Sequence, residues 1–209
     1  MAMLADFLPW VLPYVSGCSS PLAEQQIRFI CIDFCSHAPL VQLTLDPMDA
    51  IMGQTEYEIE TPTGMETTLI RQAFFRGRAL LVSNGRDRTA LPQSMPPGEP
   101  ACLQQQAGNG FELDRPPGQD YLQAIQLRVA TKPSRNATTV AEVLLNDYAY
   151  PIGLGVVGRL LLMPGQAFSN PPNARTYTEA YLSARTEARI RAEQAFGNAG
   201  MQVRPRRFQ

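Results

Sequence analysis

Lysine is almost missing from this chain. Lys132 is the single one, and the other 17 of its 18 basic residues are arginines. Histidine occurs once, as His37, so histidine-dependent acid–base or nucleophilic sites have one candidate base. Four cysteines in 209 residues are too few for a disulfide scaffold. No stretch approaches the ~20 apolar residues of a membrane span, and no membrane partner is expected. H-E-x-x-H, the P-loop and G-x-S-x-G are all missing, and no catalytic, cofactor-binding or metal residue is assigned. Charged residues make up 18%, below the roughly 25% of ordinary soluble domains. With a net charge of −1 there is little colloidal repulsion. The lysine- and glutamate-rich coat of a freely diffusing enzyme is absent, which points to a surface largely covered by other protein.

What is present argues for a folded chain. At 44% hydrophobic it can build a core. Cys31, Cys35 and His37 are close in sequence, but C-x3-C-x-H is not a standard zinc spacing, and a fourth ligand would have to be Cys18 or Cys102. The two cysteines read instead as small hydrophobes on a buried helix face. Val15-Ser16-Gly17-Cys18 has the shape of a lipobox. No Lys or Arg precedes Arg28, and Asp6, Pro9 and Pro13 interrupt the apolar segment, so secretion is not expected. A lipoprotein acylated at Cys18 is the third functional reading. Asn136-Ala137-Thr138 is a glycosylation sequon read as chance without a secretion signal.

Periodicity divides the chain. Leu4 to Val15 reads as a short or broken apolar helix. Ser20-Pro21 offers a cap and a first helical position. Leu22, Ala23, Ile27, Ile30, Cys31, Phe34, Cys35 and Ala38 then form one helical face to about His37. From Val41 the period is that of strands. Hairpins are expected at 48–51 with 56–60, at 67–75 with 79–82, and at 103–106 with 111–113. A last strand is expected over 122–130, and a long loop over 83–100. Helices return at 146–163 and 171–197. The fold class expected is α+β: a helical bundle from the N- and C-terminal segments, with an inserted small antiparallel β domain and an extended basic C-terminal tail. The boundaries are residues 1–40, 41–135, 136–200 and 201–209.

Two motifs carry weight. Gly153-Leu154-Gly155-Val156-Val157-Gly158 fits G-x-G-x-x-G. A dinucleotide site needs a strand before it and a long helix after it. Here Asn146 to Pro151 is not an apolar strand, and Pro164 follows closely. Helix packing is the simpler reading, and a small nucleotide-binding oxidoreductase using Gly153 to Gly158 is the alternative. The second motif is basic. Seven arginines lie from Arg175 onward against Glu179, Glu187 and Glu193, a net charge of +4. A solvated helix with a frayed tail, a nucleic-acid contact and a partner-ordered tail all fit this, the last suiting arginine's planar fork.

Several blocks, in order over nearly the whole chain, add a resemblance. They run from Leu8-Pro9-Trp10-Val11-Leu12-Pro13-Tyr14-Val15-Ser16-Gly17-Cys18 through Pro21-Leu22-Ala23, Ile32-Asp33-Phe34-Cys35, Leu45-Asp46-Pro47 and Gly53-Gln54-Thr55-Glu56-Tyr57. Lys132-Pro133-Ser134, Asp147-Tyr148, Arg159-Leu160-Leu161-Leu162-Met163-Pro164-Gly165 and Phe168-Ser169-Asn170-Pro171 follow, then Arg204-Pro205-Arg206-Arg207-Phe208. The chain resembles the head-to-tail adaptor (connector) proteins of tailed bacteriophages. Gly153, Gly155 and Gly158 depart from the alanine-rich helix expected there. The resemblance implies a non-enzymatic virion part at the head–tail junction, made in the bacterial cytoplasm and free of cofactors. It implies a homo-oligomeric ring, usually of twelve copies, below the portal protein. That ring would pass genomic DNA through its lumen and carry the tail tube, nozzle or fibre proteins. It also implies that the C-terminal segment docks on the portal, here through Arg204, Arg206, Arg207 and Phe208. Tyr177, Tyr181, Arg185 and Arg189 of the last helix are the candidates for packing against sister subunits.

Overall fold

The computed structural model describes residues 1–83, 95–106 and 108–196. The chain starts with a short strand, β1 (Ala2–Met3), and two 3-10 segments, Leu4–Trp10 and Leu12–Tyr14. Phe7, Val11 and Val15 of this stretch are buried, so the apolar segment is anchored although Pro9 and Pro13 deny it a regular helix. The helix α1 (Ser20–His37) follows, with Ser19 at the cap position and Pro21 in the first turn, one residue earlier than the cap expected. Ala23, Ile27, Ile30, Cys31, Phe34 and Cys35 form its buried face, as the three-and-four spacing requires.

The central segment forms β2 (Gln42–Thr44), β3 (Met48–Ala50), β4 (Glu56–Glu58), β5 (Met65–Phe75), β6 (Arg78–Ser83), β7 (Cys102–Gln105), β8 (Gly110–Leu113) and β9 (Tyr121–Pro133). These eight strands make one curled sheet, a half-barrel, in the order β2-β9-β5-β6-β7-β8-β4, with β3 also on β9. A two-stranded ribbon of β1 with β10 (Thr139–Val140) ties the N-terminus to the start of α2 (Glu142–Leu161). The chain then turns into α3 (Pro171–Phe196), where the Asn173 N–H meets Asn170 Oδ1 at 3.3 Å.

This corrects the expected fold class. The molecule is not a helical bundle carrying a small antiparallel insert. Its sheet is large and mixed, because β6 pairs with β7 in parallel, Leu81 opposite Cys102. The expected hairpin of 48–51 with 56–60 does not form. β3 pairs with β9, Met48 opposite Ile125, and β4 pairs with β8, Tyr57 opposite Phe111. The other two hairpins form as turns: Arg76 and Gly77, at φ 50° and 80°, join β5 to β6 in the doubly positive pattern that matches strand twist. The local alternation identified the strands. It carried no information on partners 50 or more residues away.

Two apolar cores result. One lies among the N-terminal segment, α1, α2 and α3; the other lines the sheet around Ile70, Leu103, Phe111, Ile125 and Leu127. Register breaks in β5 near Thr67 to Gln72 leave ladder groups to be met by side chains. Gln105 does this: its Oε1 accepts the Ile70 N–H at 2.9 Å, and its Nε2 donates to the Thr68 carbonyl at 3.4 Å. Replacing it as Gln105→Leu strands a buried N–H. Chemical denaturation should show a loss of about 1–3 kcal/mol, and a loss well below this range would show that the bulge does not need the amide.

Candidate functional site

The three glycines of G-x-G-x-x-G sit within α2, and each faces a neighbour too close for a side chain. A Cβ on Gly153 would lie 2.9 Å from the Trp10 carbonyl oxygen, one on Gly155 2.8 Å from Tyr181 Cδ2, and one on Gly158 2.7 Å from Thr178 Oγ1. Ala174, Ala188 and Ala192 are buried on the facing side of α3. Glycines on one helix and alanines on the other thus bring the two backbones together. A phosphate cradle needs free N–H groups at a helix start. These N–H groups lie inside a helix that begins at Glu142, eleven residues earlier, and follow no apolar strand of a βαβ unit. The string is a packing notch.

The same approach creates a polar clamp between α1 and α3. Tyr181 is 4% exposed. Its hydroxyl donates to Asp33 Oδ2 at 2.6 Å, and Arg185 Nη1 donates to the same oxygen at 2.6 Å. His37 Nδ1 lies 2.8 Å from the Asp33 carbonyl oxygen, where it acts as donor, so Arg185 at 3.3 Å is its neighbour rather than its hydrogen-bond partner. Burial, then the hydrogen bond to the Asp33 carboxylate, push the Tyr181 phenol well above its usual range. It stays a donor at any physiological pH. The Tyr181 ring packs against Phe34, and the Arg185 guanidinium stands 5.6 Å from that ring.

Two of the four residues expected to face sister subunits, Tyr181 and Arg185, therefore spend their side chains inside the chain. Tyr177 is half-buried and meets Tyr14 edge-on, centroids 5.9 Å apart. Arg189 pairs with Glu193 on the exposed side of α3 at 2.9 Å. Arg204, Arg206, Arg207 and Phe208 lie outside the described residues. Cys31 and Cys35 are buried, and burial pushes the Cys35 thiol up to about 12 and Cys31 well above its usual value. They are thiols, not thiolates, at neutral pH, and so poor nucleophiles and poor ligands. Among the described residues no group of three or more His, Cys, Asp or Glu side chains could hold a metal ion.

What the surface does offer is apolar. Trp10 and Tyr150, 45% and 55% exposed, stand edge-to-face with centroids 6.2 Å apart, and Tyr14 is half exposed on the same segment as Trp10. A second set, Ile51, Met52 and Leu122, sits where the β3–β4 connection meets the start of β9. Leu122 is 85% exposed. The backbone there is fixed, not loose: Met52 N–H donates to Asp120 Oδ1 and Gln123 N–H to Asp49 Oδ1, both at 2.7 Å. Sequence reasoning missed both sets. Trp10 and Tyr150 are 140 positions apart and nothing local pairs them. No protein-family model matches the chain, and no curated protein matches it.

The clamp and the notch give two measurable outcomes. Tyr181→Phe removes a charge-assisted hydrogen bond and should cost about 1.5–3 kcal/mol in chemical denaturation. Gly158→Val overpacks the notch and should cost about 1–3 kcal/mol. A Gly158→Val protein as stable as the parent would show that α2 and α3 are not in close contact.

Proposed function

We propose that the chain is a structural virion subunit, a head-to-tail adaptor that closes into a ring beneath a portal, extends the DNA channel and carries the tail. One observation supports this reading most: exposed apolar side chains stand at two places far apart, around Trp10 and Tyr150 in the helical layer and around Leu122 at the distal end of the sheet. Leu122 lies eight residues along β9 from Ala130, which pairs with Gln42 next to α1. At 3.3 Å per residue that is about 26 Å, and the aromatic set lies in the helical layer beyond. A closed ring made head to tail hides two unlike surfaces on every subunit. Exposed apolar sets in a low-charge chain are the expected mark of such burial. The arginine-rich C-terminal segment, Arg204 to Phe208, supplies the contact to the portal in this reading. Passage of DNA through the lumen requires no recognition site, and none is assigned.

The nucleotide alternative gains nothing comparable, since its glycines are filled by Trp10, Tyr181 and Thr178. The test is negative-stain microscopy of the protein mixed with portals of tailed phages. A ring of about a dozen copies is the expected assembly. Trp10→Arg should prevent the ring while leaving the isolated subunit folded, because Trp10 is nearly half exposed. Failure to form a ring with any portal, or rings undisturbed by both Trp10→Arg and Leu122→Arg, would overturn the reading.

A further inference from the structure

Asparagine followed by glycine is a chemically unstable pair. The backbone nitrogen of the second residue can attack the side-chain carbonyl carbon of the first, and glycine has no side chain to hinder it. In a folded chain three things stop the attack. A hydrogen bond can hold the attacking N–H, a side chain on the second residue can shield it, or a hydrogen bond can hold the asparagine amide. Asn109-Gly110, in the turn that joins β7 to β8, has none of the three among the described residues. Gln106 N–H donates to the Gly110 carbonyl at 2.9 Å, but no bond returns from the Gly110 N–H. The β4 side does not hold it either. Ile59 N–H donates to the Asn109 carbonyl at 2.7 Å, so the bonded pairs of this ladder are Ile59–Asn109 and Tyr57–Phe111. Gly110, opposite Glu58, falls at the unbonded position between them. The Asn109 side chain is half-buried and makes no hydrogen bond among the described residues.

The other described asparagines are all protected. Asn136 precedes Ala137, whose N–H donates to the Ser134 carbonyl at 3.1 Å. Asn173 precedes Ala174, whose N–H donates to the Asn170 carbonyl at 3.0 Å. Asn146 and Asp147 lie inside α2, where the helical ladder holds the amides. Asn170 precedes Pro171, whose nitrogen carries no hydrogen. Asn84-Gly85 repeats the dipeptide outside the described residues. An open groove of about 810 Å³, lined by Gly108, Asn109, Glu58 and Lys132 among others, brings water to the turn.

We propose that Asn109 is a site of self-modification, converted by the Gly110 nitrogen and water into aspartate and isoaspartate. The Gly110 nitrogen bonds to Asn109 Cγ and gives up its proton, the Cγ–Nδ2 bond breaks, and Nδ2 leaves as ammonia. Water then opens the cyclic imide. Opening at Cγ gives aspartate. Opening at the backbone carbonyl carbon gives isoaspartate, with the main chain routed through Cγ and one carbon longer. Either product adds a carboxylate to the groove that Glu58 already lines. Isoaspartate also alters the backbone whose carbonyl accepts the Ile59 N–H. β4 pairs only with β8, so this change loosens the edge strand.

Peptide mapping by mass spectrometry tests this on the full-length folded protein, fresh and after warm storage at neutral and mildly alkaline pH. Asn109 should show the amide-to-acid mass shift in two products, while Asn136, Asn146 and Asn173 stay intact. The shift should build up faster at the higher pH, because the attacking nitrogen must lose its proton. Gly110→Ala should slow it severalfold. The added Cβ comes no closer than 3.4 Å to any atom, the nearest being Gln106 Oε1, so the variant keeps the fold. In the converted fraction the Ile59 amide should exchange faster with solvent; unchanged exchange there would refute the loosening of β4. The site itself is refuted if Asn109 converts no faster than Asn136 or Asn173, a comparison that needs no variant. Equal rates in parent and Gly110→Ala, or conversion confined to protein unfolded in urea, would refute it as well.

Discussion

Everything in this structure is hung on one strand. β9 pairs with β2 and β3 on one side and with β5 along nearly its whole length on the other. Its buried positions, Ile125, Leu127, Val129 and Ala130, sit at the middle of the sheet. The last of them bonds to the strand that leaves α1, and the chain leaving β9 enters α2. A strand shared in this way has no slack in register, since a one-residue slip would turn the apolar positions to the wrong face. Its positive-φ residue, Gln123, is accommodated because Asp49 accepts its N–H.

The helical layer answers to a different constraint, the distance between α2 and α3. Gly155 and Gly158 set that distance, and one shared carboxylate oxygen on α1 fixes α3 from its other side. Asp33 receives both the Tyr181 phenol and the Arg185 guanidinium, so the charge is met from two sides in a part-buried site. Losing either donor leaves the carboxylate short of a partner in a medium less forgiving than water. The polar clamp also fixes which face of α3 turns outward. The ion pairs Arg175–Glu179, Arg189–Glu193 and Arg191–Glu187 all lie on that outer face. As exposed pairs they add little stability and mainly keep that face soluble.

Seen together, the two layers divide the surface. The helical side shows the Trp10 and Tyr150 rings with Leu162, Leu182 and Ile190, the distal end of the sheet shows aliphatic side chains, and the edge strand β4 is acidic. Among the described residues, the buried thiols are protonated and the buried phenol is held as a donor. A subunit that works by contact needs surfaces of this kind, each suited to a different neighbour, and the proposed adaptor role rests on that difference.

The helices were legible in the sequence because their signal is local. The buried face of α1, the Pro171 start of α3 and the packing role of the Gly153–Gly158 string could all be read from spacing. So could the turns at Gly77 and Gly108, whose positive φ suits glycine. The pairing of β4 with β8, the parallel step from β6 to β7 and the reach of β9 were not legible. Alternation names a strand and its faces but says nothing about its neighbour. Tyr181 and Arg185 show the same limit at the scale of one side chain. They were expected to pack against sister subunits, but the position of Asp33, 148 and 152 residues away, turns both inward. Composition and period determined the elements and the scarcity of charge. Which surfaces were left bare was decided by tertiary contacts, because burial belongs to pairs of distant segments and not to either one.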